Sequence, residues 1–289
     1  MMMPVLLLAT AVTVTNLTWR DATRDRDVPV KIYAPVVATH APLIVFSHGL
    51  GGTREGYRYL AEHWATNGYV CVVVQHPGSD DTVWRGQRDK PGALRRAGNL
   101  ESASARPLDV RFVITQMERD PRIQTNAIGV AGHSFGAQTT LLTIGQRLAG
   151  KSYRDPRVKA AIPMSSPRPP LATVYRDVTT PCLHLTGTKD DSPLFDTTAN
   201  DRRFAFDNIG LAHQWLVTLQ DATHMTFAGQ GERKHLDLIR EITTKFWDAH
   251  LKQDRTAQTW LQAGGLEKLV APHGDVEKKM PPDHQRVRP

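Results

Sequence analysis

The sequence predicts an α/β architecture, a mostly parallel central sheet flanked by helices. Two observations point there: short apolar, β-branched runs recur along the chain, and between them lie longer stretches with apolar residues at three- and four-residue spacing. A third bounds the answer, because 289 residues with 40% hydrophobic and 22% charged content can bury one sizeable core. We therefore expect a single domain over residues 1–265. The Pro- and charge-rich stretch 266–289, with Lys278, Lys279, Arg286 and Arg288, is expected to be a flexible tail.

In chain order, the run Pro4 to Val14 has two readings within residues 1–14. Ala9-Thr10-Ala11 has the small-x-small form of a leader cleavage site, yet no Lys or Arg precedes Arg20, and the alternation Val12-Thr13-Val14-Thr15 suits a first strand. Compartment is thus left open between export and cytoplasm. Strands are expected at Val28 to Tyr33, Leu43 to Ser47, Tyr69 to Gln75, Ala127 to Ala131, Val158 to Pro163, Cys182 to Thr186 and Gln214 to Leu219, each short and bounded by turn residues. Helices are expected at Tyr57 to Ala65, Pro107 to Met117, Ala137 to Leu148 and Arg233 to His250. The last carries an apolar stripe of Leu236, Ile239, Ile242 and Phe246. Pro77 to Ala105 reads as a long polar connection, of the kind that shapes binding clefts.

The charge balance of +7 is scattered rather than clustered, so it implies solvation and no nucleic-acid partner. No apolar run reaches the roughly 20 residues of a membrane span. The two cysteines, Cys71 and Cys182, sit in apolar β-branched stretches, where a small thiol packs without a disulfide or metal. Assembly is expected to be monomeric.

The strongest local signal is Gly132-His133-Ser134-Phe135-Gly136, directly after the strand-like Ala127 to Ala131 and before a helical run. A serine on a sharp strand-to-helix turn has a strained backbone, and chains crossing close by leave no room for Cβ atoms at its flanks. Such a hydroxyl is a weak nucleophile, so it requires a base within reach and a carboxylate to orient that base. Downstream, the strand around Leu183-His184-Leu185 ends at Asp190-Asp191, and the strand Trp215 to Leu219 leads to His224-Met225-Thr226-Phe227. Ser134, one of these two acids and His224 are the candidate catalytic residues. His184 alternates with leucines inside a strand and is expected on the far side of the sheet. His133 is expected to pack within the turn.

A tetrahedral intermediate would need amide donors. We assign them to the backbone of Phe135 and to the glycine-rich turn Ser47 to Gly52, with Leu50 as the donor there. That turn lacks the lysine and spacing of a nucleotide loop. Trp84 and Phe135 are candidates for the cleft wall.

Over Trp19 to His250 the chain resembles the α/β-hydrolase superfamily. The branch is the one holding dienelactone-hydrolase-like proteins, platelet-activating-factor acetylhydrolases and cutinase-like polyester hydrolases. The resemblance rests on Arg26 to Tyr33, the His48-Gly49 turn, Gly132 to Gly136 and Thr223 to Phe227. It implies the α/β-hydrolase fold, a serine esterase acting through an acyl-enzyme without a cofactor, and small-molecule or polymeric esters as substrates. The order Ser, acid, His fits that fold, and a position three residues after Gly187 favours Asp190 over Asp191. Ser134 stands where dienelactone hydrolases carry cysteine, and Leu50 where cutinase-like enzymes carry an aromatic residue. A serine peptidase or acyltransferase on the same fold, and a non-catalytic binding protein, are the competing expectations.

Overall fold

The structure, a computed structural model, describes residues 11–192 and 194–281. Among these residues eleven strands and eight α-helices follow in the order β1 (Val12–Asp21), β2 (Arg26–Pro35), β3 (Ala41–Ser47), α1 (Arg58–Thr66), β4 (Val70–Val74), α2 (Lys90–Ala97), α3 (Leu100–Met117), β5 (Ile123–His133) and α4 (Phe135–Thr143). Then come β6 (Arg147–Leu148), β7 (Lys151–Ser152), β8 (Val158–Met164), β9 (Cys182–Lys189), α5 (Phe204–Asn208), β10 (Gln214–Thr223), α6 (Arg233–His250), α7 (Arg255–Gln262), α8 (Gly265–Val270) and β11 (Gly274–Lys279). Nine strands form one sheet in the order β1-β2-β4-β3-β5-β8-β9-β10-β11, while β6 and β7 make a separate small hairpin. The central run from β4 to β10 is parallel, and within this sheet antiparallel pairing is confined to β1/β2, β2/β4 and β10/β11.

Helices cover both faces of the parallel core, and its strands accordingly read as continuous apolar runs. Side chains alternate between two layers. On β3, Ile44 and Phe46 join Trp64 of α1 and Phe246 and Trp247 of α6, whereas Leu43 and Val45 join Val110, Val113 and Ile114 of α3. Burying each such side chain is worth roughly 1.5–3 kcal/mol. The buried Trp64 indole is also polar-satisfied, donating to Thr243 Oγ1 at 3.0 Å and so tying α1 to α6. Cys71 and Cys182 are buried free thiols. Among the described residues no helix is long and apolar enough to cross a membrane.

Three departures from expectation have physical causes. The stretch 77–105 is not one loop: Asp89 caps α2 by accepting from Gly92 N at 2.8 Å, and Asn99 caps α3 by accepting from Ser102 N at 2.9 Å. Helix α3 thus begins seven residues before Pro107, which is tolerated inside it although proline normally opens a helix. Helix α4 stops at Thr143, because the chain turns through Gly145 at φ 124° into the β6/β7 hairpin. The third correction concerns residues 266–281 of the expected tail at 266–289, the remainder of which lies outside the described residues. Residues 265–270 form α8, and 274–279 form β11, paired in register with β10 from Gln214↔Lys279 to Leu219↔Gly274. The alternating pattern of β11 is mostly polar because only Val276 packs on the core, which is why it read as solvated chain. At the other end, β1 begins at Val12, in agreement with the strand reading of that alternation, while residues 1–10, on which the leader reading falls, lie outside the described residues.

Candidate active site

Ser134 sits between the end of β5 and the start of α4 at φ 57°, ψ −118°, a conformation that costs an L-residue of order 1–3 kcal/mol. Its amide is held by the Met164 carbonyl at 2.9 Å. The flanking glycines are obligatory. A Cβ on Gly136 would lie 1.9 Å from Ser47 O, and one on Gly132 would lie 2.3 Å from Gly136 O.

The two parallel strands beyond β8 deliver the partners. His224 opens a short 3-10 turn after β10, fixed by reciprocal bonds between Thr223 and Thr226. Its Nε2 lies 3.0 Å from Ser134 Oγ, and its Nδ1 lies 2.8 Å from Asp190 Oδ1. Asp190 follows β9, is fully buried, and accepts from Thr186 Oγ1 at 2.9 Å through its other oxygen. Gly187 lets β9 approach the β10 turn, since a Cβ there would lie 2.1 Å from Ala222 O. Asp191 turns away and accepts from Ala199 N at 2.8 Å. The structure therefore brings Ser134, His224 and Asp190 together in the Ser-His-Asp relay typical of serine hydrolases, and leaves Asp191 outside it.

Ser134 and His224 open onto a cleft of about 660 Å³ that Leu50, Tyr57, Trp84, Phe195 and Met225 also line. Trp84 donates from Nε1 to Gly51 O at 2.8 Å, so the segment after β4 props the glycine-rich turn as well as walling the cleft. Phe135 does not line the cleft; its ring packs under the Arg106 guanidinium at 4.7 Å. Among the described residues, neither the Leu50 nor the Phe135 amide finds a partner in the surrounding turns and loops. His184 is buried away from the site, bonded to Gln214 Oε1 at 2.6 Å and packed edge-on against Phe206.

Two buried arginines brace the site, and neither was visible in the sequence. Arg106 is fully buried, and contacts the His48 carbonyl, Ser79 Oγ at 3.0 Å and Thr139 Oγ1 at 2.9 Å. It thereby locks the turn before Leu50 to the helix that starts at Phe135. Arg202 donates to Asp190 O at 3.1 Å and lies 3.3 Å from both Asp190 Oδ1 and His224 Nδ1. Since that Nδ1 is already the donor to Asp190, the last contact is electrostatic rather than a hydrogen bond.

A second relay of the same composition lies beneath the glycine-rich turn. His76 Nε2 lies 3.1 Å from Ser47 Oγ, and His76 Nδ1 lies 2.9 Å from Asp109 Oδ2. All three residues are buried, and burial pushes the His76 imidazole down to about 3, so it stays neutral. Arg24 and Arg26 close over Asp109 at 2.7 and 2.8 Å. Among the described residues, no group of three metal-ligating side chains converges on a cation site.

Comparison with known proteins finds relatives over parts of the chain. The profile of the family described as platelet-activating factor acetylhydrolase, isoform II, matches residues 7–96. The platelet-activating factor acetylhydrolase of Cavia porcellus is 24% identical over 156 residues, covering 41% of this chain and 35% of that protein. Cutinase est1 of Thermobifida alba is 30% identical over 152 residues, 53% of this chain and 43% of that protein. The quorum-quenching protein AidA of Acinetobacter baumannii (strain MDR-ZJ06) is 29% identical over 113 residues, 39% and 34% respectively. The chain spans between about a third and a half of the length of the curated relatives it matches. With a parallel sheet that carries serine, acid and histidine in that order at its carboxyl edge, and with these relatives, the chain belongs to the α/β-hydrolase superfamily.

Proposed function

We propose that the protein is a carboxylic ester hydrolase in which Ser134 is the nucleophile, His224 the general base and acid, and Asp190 the group that orients it. The Ser134 Oγ attacks the acyl carbonyl carbon while its proton passes to His224 Nε2. The resulting oxyanion is held by the Leu50 and Phe135 amides, each such donor being worth on the order of 3 kcal/mol in the transition state. Collapse expels the alcohol, which takes the proton from His224. Water then repeats the cycle on the acyl-enzyme and releases the acid and the free serine. The observation that carries the reading is the 3.0 Å contact between His224 Nε2 and a strained, cleft-facing serine.

Short acyl esters and polyesters are the proposed substrate classes. The cleft wall of Leu50, Trp84, Phe195 and Met225 is apolar and suits an uncharged acyl or aryl group, and relatives named cutinase and acetylhydrolase support the same range. We take a monomer as the working form. The deciding experiment is hydrolysis of a chain-length series of p-nitrophenyl esters and of a polyester film by the wild type and by Ser134→Ala. We expect Ser134→Ala to lose about four to six orders of magnitude in turnover. Equal activity of the two proteins would remove Ser134 from the mechanism.

A further inference from the structure

A chain of hydrogen bonds, buried in its first two links and part-buried in the last, runs from the oxyanion turn to the base loop, and its polarity can be assigned atom by atom. The His224 carbonyl can only accept, so the His133 Nε2 lying 2.9 Å from it carries a proton. Burial holds the His133 imidazole well below the usual histidine range, so the ring is neutral and Nδ1 is an acceptor. Tyr57 Oη lies 2.9 Å from that Nδ1 and donates to it. The same oxygen accepts from Gly49 N at 3.0 Å. All three bonds run one way, from Gly49 N–H through Tyr57 O–H and His133 N–H to the His224 carbonyl.

Apart from Tyr57, each station on this path is one residue from a reacting group or is that residue itself. Gly49 precedes Leu50, His133 precedes Ser134, and His224 is the base. The three segments come from separate parts of the chain: the turn after β3, the end of β5 and the loop after β10. Tyr57 is shaped for the role, since it precedes α1 at φ 60°, a left-handed conformation unusual for a tyrosine, and its ring is held by Phe46 at 4.5 Å. The His133 ring in turn lies 4.6 Å from that of His224.

We propose that Tyr57 and His133 are positioning residues that hold the oxyanion turn, the nucleophile and the base in mutual register. The proposal rests on the esterase reading of the same site. Tyr57→Phe deletes one oxygen and two of the three bonds while keeping the ring. His133→Gln keeps an N–H where Nε2 stood, and His133→Asn keeps an acceptor where Nδ1 stood, so the pair separates the two halves of the path.

The test measures two rates well below the melting temperature of every variant. One is labelling of Ser134 by a fluorophosphonate, in which Oγ bonds to phosphorus, fluoride leaves and the proton goes to His224. The other is kcat on p-nitrophenyl acetate per labelled site. For Tyr57→Phe we expect both to fall by about 10- to 100-fold with KM within about twofold of wild type, the scale expected of small misplacements of reacting groups. His133→Gln should retain more of both rates than His133→Asn. Wild-type rates per folded Tyr57→Phe molecule, with only the melting temperature lowered, would overturn the proposal. If Tyr57→Phe does not fold, equal rates for the two His133 variants overturn it instead. Failure of the esterase reading has a different signature, namely labelling of the wild type with no ester turnover, and the labelling rates then decide the positioning role alone.

Discussion

Ser47-His76-Asp109 and Ser134-His224-Asp190 have almost the same spacing, and only the second faces a cleft. Access and backbone strain separate them: Ser47 lies within β3 and is buried, whereas Ser134 is raised on a turn with positive φ. Ser47→Ala is accordingly expected to cost about 1 kcal/mol of stability through a lost buried hydrogen bond. Turnover per folded molecule should be retained, as denaturant titration beside an ester assay would show. Asp190→Asn should lower kcat by about four orders of magnitude by allowing the wrong imidazole tautomer, and Asp191→Asn by less than about threefold. Ser134 and His224 could be read from the sequence because their signals are local: two glycines that leave room around a turn, and a histidine just past a strand. Arg106 and Arg202 could not, because their partners are scattered from Thr139 to His48 and from Ser165 to His224. An isolated arginine in sequence carries no sign of being buried. The two adjacent acids were separable only by resemblance, since nothing local distinguishes a carboxylate aimed at His224 from one aimed at the Ala199 amide.

At the level of elements, the parallel strands were legible because burial on both faces makes them uniformly apolar, and the polar pieces were not. The segment 77–105 looked like loop for want of an apolar stripe, yet it supplies Trp84 and α2. The α2 residues Leu94 and Arg95 lie against Gly51 and the Leu194 carbonyl. Trp84→Ala should lengthen the preferred acyl chain and lower kcat as the turn loses its 2.8 Å prop. The p-nitrophenyl ester series reads both effects, and an unchanged optimum would separate Trp84 from the acyl wall. Strand β11 was missed for the same reason, since an edge strand with one core residue has a polar sequence. Removing residues 274–281 would bare the β10 edge, where unpaired amides template aggregation. A lower urea midpoint with raised light scattering is the expected result.

For the molecule as a whole, the buried histidines contribute one pH-dependent part of the stability. Burial holds the His48 and His133 rings well below the ordinary range, His76 at about 3 and His184 at about 4. An unfolded chain takes up these protons near pH 6.5, while the folded one does not. Stability from this source is therefore complete above pH 7 and drains as pH falls below about 6.5, by up to about 1.4 kcal/mol per pH unit for each ring. The loss ends only where the folded rings protonate in turn. Urea midpoints measured from pH 8 to 4.5 should be level and then decline, and a line level throughout would contradict this account. The sheet order carries one more consequence. Because β1 and β11 occupy its two opposite edges, the first and last strands are separated by eight inter-strand steps of about 4.8 Å, a width on the order of 40 Å. A segment running directly from the start of β1 to the end of β11 would thus need at least about a dozen residues. For the same reason, a donor and acceptor dye placed on those two strands would report on the assembly of the full sheet rather than of any one hairpin.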